Sequence, residues 1–204
     1  MISREHGYHV EVFESFNRER QPMHEMTAAN LRSAFGGESM AHMRYLAWGD
    51  KAQFDSFPNV ARLFRAVSRA EQAHATGHFR AMGQVAGGFA VTAGAGFGLG
   101  ATSDNLAGAI EGENFEIAEM YPAYLAVAKD QNELAALRSM SFAMSAERIH
   151  ADMFAKAKQA VDSGKDLAIG PIQVCAVCGH TIEGDVPDRC PVCSAVGAKY
   201  ITFA

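Results

Sequence analysis

The chain has 204 residues and a formal net charge of −5, long enough for one well-packed domain with a small appendage and short for two full-sized ones. Its acids and bases are scattered rather than blocked, which excludes the electrostatic footprint of a nucleic-acid or anionic-membrane binder and leaves a small molecule or a protein as the expected partner. All four cysteines fall between Cys175 and Cys193 in two close pairs, a usage that fits metal ligation in the cytoplasm better than a secreted disulfide scaffold.

Residues 1–27 alternate charged and apolar side chains without the apolar run and cleavage site of a signal peptide, and read as a short N-terminal extension. From 28 to 165 the sequence is rich in Ala, Leu, Met, Glu, Arg and Gln, and its apolar residues recur with helical spacing in four segments. The first follows a cap at Thr27 and stops before Ser56, Phe57 and Pro58; the second runs from about Asn59 to Gly83. The stretch from Val85 to Asn105 is too rich in glycine for a membrane span and reads as a flexible crossover. Its glycines also miss the dinucleotide fingerprint, whose third glycine would fall on Leu99 or Ala101. Ser103 or Asp104 caps the third segment, in which Pro122 predicts a kink or local adjustment. The fourth runs from about Asn132 to Ser163. Two short connections and one long one predict a mainly α fold, a ferritin-like four-helix bundle with a single long crossover. Beyond it, glycines and prolines break every long period, and 170–204 reads as a separate small domain.

Each helical segment carries at least one acid that its apolar pattern does not explain. Glu38 lies in AFGGESMAHMRY, Glu71 and His74 form Glu-x-x-His, Glu113 and Glu116 stand three apart in GENFE, and Glu147 and His150 repeat Glu-x-x-His. Residues three apart on a helix share a face, so each pair aims both heads at one point on the bundle axis. Carboxylate oxygens with a few imidazoles suit non-haem iron or manganese, and bridging carboxylates hold two such metals together. The five carboxylates cannot share a dry interior without protonating or unfolding it; two divalent ions would bring their charge from −5 to −1. His42, His78 and Glu111 lie close by in sequence and read as supporting or solvated groups. Tyr45, Trp48, Phe115 and Tyr121 read as core, the two tyrosines also as candidate hydrogen-bond donors near the metals. In the tail, Cys175-x-x-Cys178 and Cys190-x-x-Cys193 form two knuckles of a tetrathiolate site that fits zinc or a single iron.

AFGGESMAHMRY, RAEQAH, AIEGENFEIAEMYP, SAERIH and the VCAVCGH and CPVC knuckles together resemble rubrerythrin, from about Asn30 to the C-terminus. The resemblance implies a di-iron peroxidase in which Glu38, Glu71, Glu113, Glu116, Glu147 and His150 hold two irons, with Glu71 and Glu147 bridging. It also implies that Glu116 and His74 alternate as ligands on change of redox state. Cys175, Cys178, Cys190 and Cys193 match a rubredoxin-like iron site, where zinc is possible in the isolated protein. By the same resemblance, hydrogen peroxide is the substrate, and electrons arrive from a reductase or rubredoxin drawing on NADH or NADPH. The protein would be a homodimer in which each cysteine site serves the partner's di-iron centre, and its role would be oxidative-stress defence. The extension, the glycine-rich insert around 86–101 and Phe115, which stands where tyrosine is common, depart from that pattern. Ferritin-like ferroxidase activity is the alternative; a zinc-bound interaction tail on a metal-binding regulator is a third reading.

Overall fold

The computed structural model describes residues 22–83 and 85–204, so most of the predicted N-terminal extension lies outside the described residues. Helix α1 (Glu25–Phe54) and helix α2 (Pro58–Ala81) form an antiparallel pair joined by a tight turn with Ser56 at φ 68°. Small residues let the two backbones approach: a Cβ added at Gly49 would lie 3.3 Å from both the Ala61 carbonyl oxygen and the Phe64 Cβ. Pro58 occupies the first turn of α2, where its missing N–H costs nothing. The next two N–H groups, of Asn59 and Val60, donate to the Asp166 carboxylate, which satisfies orphan donors and complements the helix dipole.

The third segment is one continuous rod built from α3 (Thr102–Phe115), a five-residue π-helical turn (Glu116–Met120) and α4 (Tyr121–Asp130). The adjustment predicted at Pro122 is this turn. In an α-helix the Pro122 ring would collide with the carbonyl four residues back; here the Tyr121 N–H reaches the Glu116 carbonyl, five residues back. Helix α5 (Leu134–Asp162) completes the bundle. A three-stranded antiparallel sheet follows, in order β2 (Thr181–Glu183), β1 (Ile172–Cys175), β3 (Tyr200–Phe203), with Gln173 opposite both Ile182 and Thr202.

The sequence expectations need three corrections. Helix α1 begins at Glu25 rather than after a Thr27 cap, because Ala28 N–H already reaches the His24 carbonyl and the Thr27 hydroxyl donates instead to Gln131 at 2.6 Å. Neither Ser103 nor Asp104 caps α3, which starts at Thr102, whose hydroxyl donates to Asp55 at 2.8 Å. The glycine-rich crossover has no helix or strand, yet it is tied along α1 rather than free. Ser33 Oγ donates to the Thr92 carbonyl and Trp48 Nε1 to the Gly98 carbonyl, each at 2.9 Å, and the Arg32 guanidinium stacks 4.2 Å over Phe89. The small C-terminal sheet packs directly on the bundle: Ile172 and Val174 join the apolar cluster of Tyr45, Phe64 and Phe154.

A second cluster, containing Leu31, Tyr121 and Met140, fills the opposite end. Along every helix the acidic positions fall between the two: Glu38 between Leu31 and Tyr45, Glu113 between Ala109 and Tyr121, Glu147 between Ala143 and Phe154. The core is therefore interrupted at mid-bundle by polar groups, and both clusters wall them from water.

Candidate metal centre

Glu38, Glu71, Glu113, Glu147, His74 and His150 are all buried at that level. They fall into two groups of four, Glu38–Glu71–His74–Glu147 and Glu71–Glu113–Glu147–His150, each with its ligand atoms within 4.8 Å of one another. Glu71 and Glu147 belong to both. That sharing follows from the two Glu-x-x-His motifs on α2 and α5, whose imidazoles stack 5.9 Å apart. His74 Nδ1 lies 2.8 Å from Glu147 Oε1 and 2.9 Å from Glu71 Oε2; His150 Nδ1 lies 2.8 Å from Glu147 Oε2 and 3.3 Å from Glu71 Oε1.

Among the described residues, one oxygen on each of Glu38, Glu71, Glu113 and Glu147 is shielded from water and accepts no well-aligned hydrogen bond, although imidazole Nδ1 atoms lie 2.8 Å from Glu147 Oε1 and 3.3 Å from Glu71 Oε1. An unpaired buried carboxylate oxygen costs several kcal/mol, and four converging on one spot are the donor set of a pair of hard cations. The protonation pattern shows the strain of leaving them without cations. Burial and the neighbouring charge of Glu147 push Glu71 up to about 7. Burial with Glu71 and Glu147 raises Glu113, and burial with Glu38 and Glu147 raises Glu116, both well above the carboxylate range. Burial opposes charge on the imidazoles, but Glu147 and Glu71 outweigh it at His74, and hydrogen bonds to Glu113, Glu147 and Glu71 outweigh it at His150, so both are raised well above 6.5. Burial also disfavours ionised Glu38 and Glu147, yet the imidazole contacts prevail and lower both.

The groups around this set fix its orientation. Tyr45 donates to Glu113 Oε1 at 2.6 Å and Tyr121 to Glu38 Oε1, each leaving the second carboxylate oxygen unpaired. Burial and the adjacent carboxylates hold both phenols well above their usual range, so they remain donors. His78, expected to be peripheral, is fully buried and extends the chain. With its hydroxyl proton on Glu38, Tyr121 accepts from His78 Nε2 at 2.9 Å, and His78 Nδ1 accepts from Ser139 Oγ at 2.9 Å. His42 instead staples α1 to α2 through the Ser68 carbonyl. Glu116 stands outside both four-residue groups, half-buried at the start of the π turn, and Glu111 is exposed.

The cysteine knuckles close over the far side of the imidazoles. Cys175 and Cys193 sulfurs are 3.7 Å apart and Cys178 and Cys190 sulfurs 3.5 Å, against the roughly 3.8 Å edge of a tetrahedron with metal–sulfur bonds of about 2.3 Å. The thiols therefore fit one tetrahedral ion. The Cys178 carbonyl lies 3.1 Å from His74 Nε2, and Thr181 Oγ1, which donates to the Gly179 carbonyl, lies 3.0 Å from His150 Nε2. Because these oxygens accept, Nε2 keeps its proton on both rings, and Nδ1, facing the carboxylates, is the nitrogen whose proton a metal would displace. Sequence reasoning missed Gly179 and Thr181; the only local signal was the glycine following the second cysteine. The resemblance placed the cysteine site against a partner's di-iron centre, whereas here the contact between the two sites is made within one chain.

The rubrerythrin family model matches residues 29–158, and the rubrerythrin rubredoxin-like domain matches 173–201. The chain is 45% identical to rubrerythrin-2 of Clostridium acetobutylicum over 178 residues, covering 87% of this chain and 97% of that protein. It is 28% identical to nigerythrin of Nitratidesulfovibrio vulgaris, covering 82% and 81% respectively. The solved mixed-valence nigerythrin superposes with a TM-score of 0.77 at 25% identity over the whole of both chains. With a carboxylate–imidazole cage fit for two ions and a tetrathiolate site docked on it, the chain belongs to the rubrerythrin family of non-haem di-iron peroxidases with a rubredoxin-like tetracysteine domain.

Proposed function

We propose that Glu38, Glu71, Glu113, Glu147, His74 and His150, joined by Glu116 when His74 is released, hold the two irons that reduce hydrogen peroxide, with Glu71 and Glu147 bridging. The observation that carries this assignment is the pair of four-residue groups sharing Glu71 and Glu147, with four carboxylate oxygens between them that accept no well-aligned hydrogen bond among the described residues. When bound, the iron pair supplies two electrons to the O–O bond and positive charge to stabilise the hydroxide that leaves. The chain's own residues orient and shield that site: Tyr45 and Tyr121 fix Glu113 and Glu38, and the apolar clusters on either side exclude water. Cys175, Cys178, Cys190 and Cys193 hold the third iron, and the Cys178 carbonyl on His74 Nε2 is the inlet for electrons. That contact disfavours iron storage, which has no use for a dedicated inlet.

The bundle is assigned to 28–165 and the electron-entry domain to 170–204. The donor is an external reductase or rubredoxin linked to NADH or NADPH, and the setting is the cytoplasm. A homodimer is supported by the large apolar side chains left outward, Phe54 at 82% and Phe97 at 90% exposure; sedimentation velocity tests it.

Two substitutions test the roles. Glu71→Ala removes a group common to both metal positions and is expected to abolish occupancy of the bundle site while the tetrathiolate site keeps its ion, read by metal analysis and the separate optical bands. Cys178→Ser is expected to keep the bundle irons and one round of peroxide reduction, yet to stop repeated turnover. Undiminished repeated turnover in the second variant would remove the proposed route.

A further inference from the structure

The tied crossover leaves a cavity of about 540 Å³ between its Thr92–Gly96 segment and the helices α1 and α3. Hydrogen peroxide needs less than about 60 Å³, the share of two water molecules in the liquid, so this space is far larger than that substrate requires. The cavity lies against the wall of the metal cage: Glu116 lines it, and so do Gly37 and Gly112, the immediate neighbours of Glu38 and Glu113. Gly37 is buried, yet a Cβ added there, or at Gly112 or Gly94 on the roof, would meet nothing within 4 Å. Small residues on facing walls thus leave room that side chains do not fill. Phe115 and Met120 contribute apolar surface. Arg44, also part of the wall, has Nε and Nη1 shielded from water and, among the described residues, without a hydrogen-bond partner. A buried donor in that state is stabilised by an acceptor arriving with a ligand. The hydrogen bonds from Ser33 and Trp48 that hold the crossover fix the roof.

We propose that this cavity is a substrate pocket that admits organic hydroperoxides, with the alkyl or aryl group against Phe115 and Met120 and the hydroperoxide end toward Glu116. The inference rests on the peroxidase reading and extends its substrate class. The O–O bond of ROOH breaks, the two electrons come from the reduced di-iron site, two protons are taken up, and the products are ROH and water. Arg44 is assigned to donate to the hydroperoxide oxygens.

The test uses the iron-loaded full chain, reduced without oxygen and mixed with hydrogen peroxide, tert-butyl hydroperoxide or cumene hydroperoxide, following reoxidation optically and the alcohol product by chromatography. Cumene hydroperoxide is expected to react within about tenfold of hydrogen peroxide. Gly94→Trp, from the roof, and Gly112→Leu, from the floor, are expected to lower the cumene-to-hydrogen-peroxide rate ratio at least about tenfold, the scale on which pocket shape discriminates. Iron content and helical circular dichroism identify a variant that has lost the bundle; the wild-type comparison decides without it. Reoxidation by hydrogen peroxide alone, with no cumyl alcohol formed, overturns the pocket and leaves the peroxidase reading standing. Failure with every peroxide overturns both. An unchanged rate ratio in folded, iron-loaded variants also overturns the pocket.

Discussion

Replacing Gly179 with alanine is expected to uncouple the two metal sites, slowing repeated peroxide turnover by at least about tenfold, because displacements near 1 Å at a reacting contact cost up to about a hundredfold. Gly179 has φ +75°, and a Cβ built there would lie 2.0 Å from His74 Nε2, 2.7 Å from its Cδ2 and 2.9 Å from its Cε1. The ring cannot retreat, since its Nδ1 side faces Glu71 and Glu147 at 2.9 and 2.8 Å. The knuckle must therefore move outward, which breaks the 3.1 Å contact of the Cys178 carbonyl with His74. Some loss of stability comes from the backbone alone, roughly 1–2 kcal/mol for a left-handed non-glycine residue. Gly184→Ala separates the two effects: Gly184 has φ +95°, but its added Cβ meets nothing within 4 Å. That variant is expected to show the stability loss without the slowed turnover. A single reoxidation of the chemically reduced Gly179→Ala protein should stay within a few-fold of wild type. If both variants slow turnover alike, the contact with His74 is not the electron route.

What the sequence made legible here is what local periodicity controls. Two Glu-x-x-His motifs and the acids of the other helices could be assigned to one axial cage because residues three apart on a helix must share a face, and the structure brings six of the seven proposed bundle ligands together there. Glu116 is the exception, turned toward the crossover cavity from the first residue of the π turn. That turn was foreshadowed by Pro122, but its effect on Glu116 was not, since a widened turn re-aims side chains only once its limits are known. The helix starts were misplaced for a different reason. The Thr27 and Thr102 hydroxyls hydrogen-bond to Gln131 and Asp55, residues distant in sequence, and capping rules see only the next few positions. His78 has the same history: nothing within one turn of it announces Ser139 or Tyr121. The docking of the knuckle on the imidazoles is set by tertiary contacts, among them the packing of Ile172 and Val174 on the bundle and the contacts of Cys178 and Thr181 with the two rings.

Removing the metals is expected to make folding stability fall as pH rises from about 5 to 8, whereas the metal-loaded protein should hold or gain stability over the same range. Glu71 is raised to about 7 in the fold, against about 4.3 for an unfolded glutamate. Below both values the group is protonated in both states. Between them the unfolded chain gives up its proton while the folded chain retains it, so stability declines with rising pH until the folded value is passed. For Glu71 alone the loss is about 3–4 kcal/mol at about 1.4 kcal/mol for each unit of difference. Burial and the neighbouring carboxylates also raise Glu113 and Glu116, which act in the same direction. His74 and His150 do too: their raised values give stability that is complete below about 6.5 and lost as pH climbs through the folded value. Glu38 and Glu147, lowered in the fold, work the other way and only at the acid end, where their contribution disappears as pH falls below the unfolded value. Bound cations reverse the balance, because they require ionised carboxylates and unprotonated Nδ1 atoms and expel those protons on binding. Urea unfolding of chelator-treated and metal-loaded protein at pH 5 and pH 8, without oxygen, reads the difference directly. A chelated protein as stable at pH 8 as at pH 5 would show that the carboxylates do not need the metals to remain ionised together.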